Sequence, residues 1–539
     1  MRIGKLEAAA AVGADDVLGT LELGKLADSV LLDENPLHEI ANASAIWRVI
    51  QGGQVFGSRV CAQPKVVTSK IGALSVEVAR HSHTMDPRAP PQLSWRLFRS
   101  SGRNADMRDQ RTGWSLCGLV VLVLLIVGGT PDRGSAQGPE PSGQLPEWLS
   151  LSGSFRLRPE ARWGRRFEEG DNEGYALTRL RVAVGVQAGR WARFFVEGQD
   201  SRAPGLATPG TTLRDWADLY QGYAEVGSLK GPVRVRVGRQ EMPFGAERLL
   251  SRNPWRNTGR SFDAVRVMVS SDRVGVDLFA ASVVEKDQEG FDSWVDGENL
   301  YGLYGSLLGA GDRFRIEPYL LVRTRAVTET RPTPEDRYSL GARVVHRFTP
   351  RLEADGEVVR QLGDAGDASI AAWMAHGVVR YDFADVPWQP RVRVEYAHAS
   401  GSDPDDAQLQ GFDTLYRTPH RYHGFADLIG GRNLRDAQLG VDLSPPSDLS
   451  VAVDLHRFWL ATTRDGLYST GLGVVVPVPL DGADSSDVGV ELDLTVTYPL
   501  LRWLTVGGGW ARLFPGQFLK TNASDMPSSF AYGLVEARF

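Results

Sequence analysis

The sequence predicts an all-β fold, a transmembrane antiparallel β-barrel of about 18 strands (16–18), behind a poorly structured or remnant N-terminal extension. Three observations lead there. From Leu149 onward apolar and charged residues alternate with a period of two, over segments of about ten residues. A secretory signal precedes that region, and the chain ends on an aromatic residue, Phe539, that shares the apolar face of its last segment.

The N-terminal part reads as two pieces. Residues 14–57 resemble the C-terminal tail of metal-dependent amidohydrolases: a Gly24–Asp28 turn (GKLAD), a strand at Ser29–Asp33, Asn35-Pro36-Leu37, and a hairpin over Val49–Val55. The metal-binding histidines and catalytic aspartate of that family would lie upstream and are absent. We therefore read residues 1–60 as a tail-like fragment, 61–106 as a disordered linker, and neither as an enzyme. His81-Ser82-His83 sits in Arg/Ser/Pro-rich coil, and we assign it no metal.

Residues 107–136 carry the signal-peptide pattern: Arg108 and Arg111, the apolar run Leu116–Val127, then Gly134-Ser135-Ala136 with small residues at the −3 and −1 positions. The run is shorter than the about 20 apolar residues of a membrane helix. Its internal position makes Met107 the expected start, with residues 137–148 as a short periplasmic lead-in and 149–539 as the barrel. From Gly138 on there are 42 arginines but three lysines, against 53 acidic residues, and no cysteine. That excludes disulfides and cysteine metal sites, and it gives no signal for nucleic acid.

The alternation is explicit. Phe155, Leu157, Ala161 and Trp163 oppose Arg156, Arg158, Glu160 and Arg162; Leu180, Val182, Val184 and Val186 oppose Arg179, Arg181 and Gln187. Three valines alternate with Arg234 and Arg236, and the rhythm returns in 313–325, 391–395 and 488–498. A soluble sandwich would turn the charges to water; a barrel turns them into a lumen and the valines to lipid. Tyr and Trp near strand ends, among them Trp148, Trp163, Tyr220, Tyr381 and Trp388, suit interfacial girdles. Residues 365–368, 402–410 and 481–487 read as exterior loops, and 242–261 and 430–436 as ordered loops folded inward.

Several motifs then converge. Gly238-Arg239-Gln240-Glu241, Phe244-Gly245, Glu247-Arg248-Leu249, Trp255, Asn257 and Gly259–Asp263 followed by Val265-Arg266 are similar to the bacterial alginate export family. Gly411-Phe412-Asp413, Tyr422-His423-Gly424, Asp427-Leu428, Asn433–Asp436 and His456–Leu460 extend the likeness across nearly all of 150–539. The resemblance implies an 18-stranded outer-membrane barrel that passes an anionic polyuronate. Separately, the final strand ending in Phe539 resembles the assembly signal of bacterial outer-membrane barrels, read by the barrel-assembly machinery.

The charge pattern agrees. Arg156, Arg158, Arg162, Arg179, Arg181, Arg234, Arg236, Arg239, Arg248, Arg260 and Arg266 are expected along the lumen, where fixed guanidinium forks bind carboxylates bidentately. Alternatively each braces the wall by pairing with Glu160, Glu197, Glu225, Glu241 or Asp263; Glu241 and Asp263 are the bracing or gating candidates. His398, His420, His423 and His456 have no ligand-like spacing, so no cofactor is expected. The expected protein is a monomer in outer-membrane lipid, with an anionic polysaccharide as cargo and periplasmic export components as partners. A general anion or oligosaccharide porin, or a plugged structural or adhesive barrel, remain the alternatives.

Overall fold

A computed structural model describes residues 145–539, except 229–230, 289, 310–312, 330 and 419, together with three short N-terminal strands. Those three, Ser29–Leu32, Ile46–Gln51 and Gln54–Gly57, form an antiparallel sheet of their own, with Val49 opposite Phe56 and Ile50 opposite Val55. They coincide with the strand and hairpin expected there. The signal-peptide segment 107–136 and His81 and His83 lie outside the described residues.

Alternation becomes a closed barrel of 18 antiparallel strands. They are β1 Leu149–Trp163, β2 Glu173–Ala188, β3 Ala192–Arg202, β4 Asp215–Val226, β5 Val233–Gln240 and β6 Phe262–Ser270. Next come β7 Val274–Glu285, β8 Glu298–Leu308, β9 Phe314–Arg325, β10 Glu335–Arg347, β11 Leu352–Ala365 and β12 Ala368–Asp382. Last come β13 Arg391–Ala399, β14 Leu434–Leu443, β15 Ser450–Leu460, β16 Asp487–Leu501, β17 Leu504–Pro515 and β18 Ser528–Arg538. Among the described residues no helix is long and apolar enough to cross a membrane; the membrane is crossed by strands.

The faces are inverted relative to a soluble protein. On β10, Arg337, Ser339 and Arg343 are buried, whereas Tyr338, Leu340 and Val344 are exposed. On β2, Arg179 is buried while Leu180, Val182 and Val184 are exposed. Such an arrangement is stable only if lipid covers the outside and the polar groups find partners within. The outer girdle residues follow suit, with one correction: Tyr220 is 1 % exposed, because its hydroxyl points inward and donates to Glu241 at 2.6 Å.

Closure joins β18 to β1, with Val535 opposite Leu157 and Arg538 opposite Ser154. The Gly153 amide donates to the Phe539 carbonyl (2.7 Å) and the Phe539 amide to Gly153 (3.0 Å). A Cβ on Gly153 would sit 2.4 Å from the Phe539 ring and 3.0 Å from the Arg181 carbonyl, so a side chain there would have to displace the terminal ring. One rim carries short turns, such as 189–191, 271–273 and 502–503; the other carries the long loops 241–261, 400–433 and 461–486. The stretches 402–410 and 481–487 lie at the long-loop rim, as does the tight Gly366–Asp367 turn, where Gly366 takes φ 60°.

Candidate functional site

Two long loops turn into the barrel and meet. Loop 241–261 carries Met242, Phe244, Leu249 and Leu250, which pack against the inward residues Phe262, Phe279, Leu300 and Tyr304. Loop 400–433 adds Phe412 and Tyr416 to the same cluster. The backbones pair over a short stretch: the Ser251 amide donates to Tyr416 (3.1 Å) and the Tyr416 amide to Leu249 (2.9 Å). Arg260 donates across this junction to the carbonyls of Tyr416 and Arg417. The inward fold expected for 242–261 is therefore present; of 430–436, the segment from Leu434 on belongs to β14.

Most of the predicted arginines hold these loops or the wall. Arg156 donates to the Pro254 carbonyl (2.8 Å) and to Asn257 Oδ1 (3.2 Å), and Arg179 also reaches Pro254 (3.2 Å). Arg158 pairs with Glu160 at 2.6 Å and lies 3.6 Å above the Trp255 ring. Trp255 in turn stacks on His420 at 3.6 Å between centroids, tying β1 to both loops. Arg162 donates to Ala426 (2.8 Å), and Arg181 to Gln199 (2.7 Å) with Glu241 3.6 Å away. Arg234 and Arg236 share Glu225, at 3.3 and 2.5 Å. Arg266 pairs with Asp277 at 2.7 Å, and Arg248 with Glu395.

Arg239 and Asp263 require a correction. They form a bidentate pair at 2.9 and 3.0 Å, but not in the lumen. Arg239 has the parity of Val233, Val235 and Val237, and Asp263 that of Val265 and Val269, so both stand on the outward face near the long-loop rim.

Below the loops lies a chamber of about 560 Å³ toward the short-turn end. Nine arginines and four carboxylates line it, the arginines coming mainly from β9–β13 and the roof from Gly245, Ala246, Arg248, Arg421 and Tyr422. Wall carboxylates orient several of these forks: Arg343 is held by Asp355 (2.8 Å) and Glu317 (2.8 Å), and Arg393 by Asp442 (3.0 Å) and Asp454 (2.9 Å). Arg315, Arg347 and Arg391 keep 41 %, 56 % and 51 % of their side chains exposed. Apart from Arg248, none of the chamber's arginines is among those singled out in the sequence, although 313–325 and 391–395 showed the same alternation.

Asn257, Asn433 and Asp413, already marked by the family-like motifs, organise the lumen through partners that no local pattern gives. Asn257 is fully buried and donates to three carbonyls, Thr178 (3.1 Å), Arg202 (3.2 Å) and Leu213 (2.8 Å). Asn433 does the same for Thr462, Asp465 and Gly466. Arg323, 1 % exposed, joins Glu335 on the wall (2.5 Å) to Asp413 of the loop (2.6 Å). The histidines, unrelated in spacing, converge on acids: His423 and His456 both reach Asp436, at 3.1 and 3.0 Å, and His420 reaches Asp427 at 3.0 Å. Burial pushes His423 down to about 4, with Arg417 and Arg248 adding to the effect against the hydrogen bond to Asp436. Among the described residues no group of His, Cys, Asp and Glu is arranged to hold a metal ion.

The sequence profile of the alginate export family matches residues 147–531. The chain belongs to the alginate export family. It is thus a porin-like β-barrel channel of the bacterial outer membrane. The family match does not reach the amidohydrolase-like segment, and no functionally curated protein matches the chain. Among solved structures, Pseudomonas aeruginosa OccK2 (OpdF) superposes with a TM-score of 0.51 at 12 % identity, over 72 % of this chain and 97 % of its own. OccK1 (OpdK) of the same organism gives 0.50 at 13 %, over 72 % and 98 %, and OccK9 (OpdG) 0.50 at 14 %, over 73 % and 99 %. At such identities the likeness speaks to the fold alone.

Proposed function

We propose that the channel passes an anionic polysaccharide, an alginate-like polyuronate, and that the arginine chamber is its selectivity element. The observation that carries this reading is the excess of nine arginines over four carboxylates around one chamber. Seven of the nine forks are pre-oriented by a carboxylate, and an incoming uronate competes for them. Exchange among several such partners keeps any single contact weak, which conduction requires. No catalytic step is part of this reading.

A planar bilayer tests it. The expected current is anion-selective and is blocked by polyuronate more strongly than by a neutral maltodextrin of equal length. Equal block by both would sink the polysaccharide specificity and leave a general porin. A second reading, a sealed barrel with a structural role, draws on the apolar packing of the two loops; absence of any current would favour it.

A further inference from the structure

The outward face offers a second arrangement of arginine. Arg360 has the parity of the exposed Val358 and Leu362 on β11, and it lies directly opposite the exposed Trp373 on β12. One pleat further, Ala375 faces His398 on β13, and His398 faces Arg435 on β14. Another pleat on, Ala437 faces Arg457 on β15, which faces Val490 on β16; one more pleat brings Leu492 opposite Arg512 on β17. All of these share the lipid-facing side. A drop of two residues on every second strand is the stagger that strand tilt imposes on positions at one height in a closed barrel. The direction agrees with the short-turn rim, where Ser450, the first residue of β15, faces Thr497, four residues before the end of β16.

The height is that of the outer headgroups. Trp373 and Tyr381 are the two exposed aromatics of β12, eight residues apart, or about 26 Å along the strand and roughly 20 Å along the barrel axis. That spans the apolar band between aromatic girdles, which is about 25 Å tall. The belt at Trp373 therefore meets the outer leaflet, on the side of the long loops.

Three of its four arginines lack a carboxylate. Among the described residues Arg360 and Arg512 pair with none, and Arg435 donates only to the Leu460 carbonyl (2.9 Å) and Ser486 (3.3 Å). Arg457 has Asp487 at 2.8 Å. Asp336 and Asp364, opposite each other on this face, lie four residues nearer the rim than Arg360. Outward arginines elsewhere on the same rim are neutralised by their own wall, Arg202 by Asp200 (2.6 Å) and Arg239 by Asp263. An unpaired guanidinium on the lipid face is stable where it meets an anionic headgroup. We propose that Arg360, Arg435 and Arg512 form a phosphate-binding belt for the phosphorylated glycolipid of the outer leaflet. The belt thereby fixes the height and orientation of the β11–β17 sector, independently of what the lumen passes.

The test uses the full barrel in nanodiscs containing bis-phosphorylated lipid A or its enzymatically dephosphorylated form, with retained lipid counted by native mass spectrometry. Phosphorylated lipid should stay bound, and dephosphorylated lipid should not. The triple variant R360S/R435S/R512S should weaken retention roughly a hundredfold, about fivefold per arginine. The triple lysine variant should restore most of it, and L340S, beside Arg360, should leave it unchanged; heat-modifiable gel migration confirms that each barrel is folded. Equal retention of both lipids, or equal retention by the serine variant, would overturn the proposal. So would displacement of the lipid by millimolar inorganic phosphate, which would make free phosphate the occupant.

Discussion

Arg156 and Arg347 are both inward-facing arginines, but their surroundings differ. Arg156 is enclosed by loop 241–261 and donates to Pro254 and Asn257. Arg347 faces the chamber, pairs with Glu353 at 3.3 Å and keeps 56 % of its side chain exposed. In the first region the guanidinium replaces water for carbonyls that a folded-in loop would leave unpaired. In the second it remains available to an anion that competes with wall carboxylates. The same residue type on the same face of the same barrel is thus structural where loops cover it and accessible where they do not. What separates the two is loop length: 21 residues in 241–261 and 34 in 400–433 reach the lumen, whereas the opposite rim has short turns.

Substitutions in the covered region should therefore act on stability, and the largest effects are expected there. Arg323→Met would strand Asp413, while Glu335 keeps Arg337 at 3.0 Å; burial alone would raise the Asp413 carboxyl, but Arg323 overrides this and holds it well below the usual range. Losing one partner of such a pair costs about 4 kcal/mol. Asn257→Ala removes the donor to three buried carbonyls and should cost about 3 kcal/mol, partly recovered by water entering the space. Both are read by thermal unfolding, and Asn257→Ala should also raise the single-channel conductance as loop 241–261 loosens. A loss below about 1 kcal/mol in either would mean that the loop is not held by these contacts.

Much of this contrast was present in the residues, and the part that was not has a definite cause. Alternation locates the strands and their faces, because it is local; it even places Arg239 outward, since 239 has the parity of Val237 and not that of Arg234 and Arg236. Likewise 313–325 and 391–395 display four of the chamber's nine arginines. Partnerships across the lumen are another matter. Arg260 reaches Tyr416 and Arg323 reaches Asp413 over 156 and 90 positions of sequence, and no period links them. Whether a lumen arginine is covered depends on the path of a loop from another part of the barrel, which is set by packing of Phe412 and Tyr416 rather than by the arginine's own neighbours.

The loop junction should also respond to pH. His423, in loop 400–433, is buried and held near a pKa of about 4, below its ordinary value of about 6.5. A histidine kept neutral in the folded loop binds fewer protons than in the opened one. Its stabilising contribution is therefore complete above about pH 6.5 and falls as the pH drops toward 4, by up to about 3 kcal/mol. Burial sets the shift, Arg417 and Arg248 add to it, and Asp436 opposes it. Conductance should rise as the pH is lowered through this window, and His423→Gln should flatten the response. An unchanged response in that variant would assign it to the acids of the wall instead.

The smallest effect on stability, and the sharpest contrast, belongs to the chamber. Arg315→Ser and Arg347→Ser remove guanidinium groups that are about half exposed and paired at 3.3 Å with Glu317 and Glu353. Solvent-screened pairs of this kind contribute about 0.5 kcal/mol or less, so the unfolding midpoint should barely move. Polyuronate block, in contrast, should weaken about fivefold for each arginine removed, because a bound uronate loses a charge-assisted partner worth about 1 kcal/mol. Arg156→Ser, in the covered region, should show the reverse: a lower midpoint and no selective loss of block. If the chamber variants changed stability and block together, the two regions would not be distinct. If Arg156→Ser reduced block without loss of stability, the path would run along β1 and β2, under a loop that opens during passage.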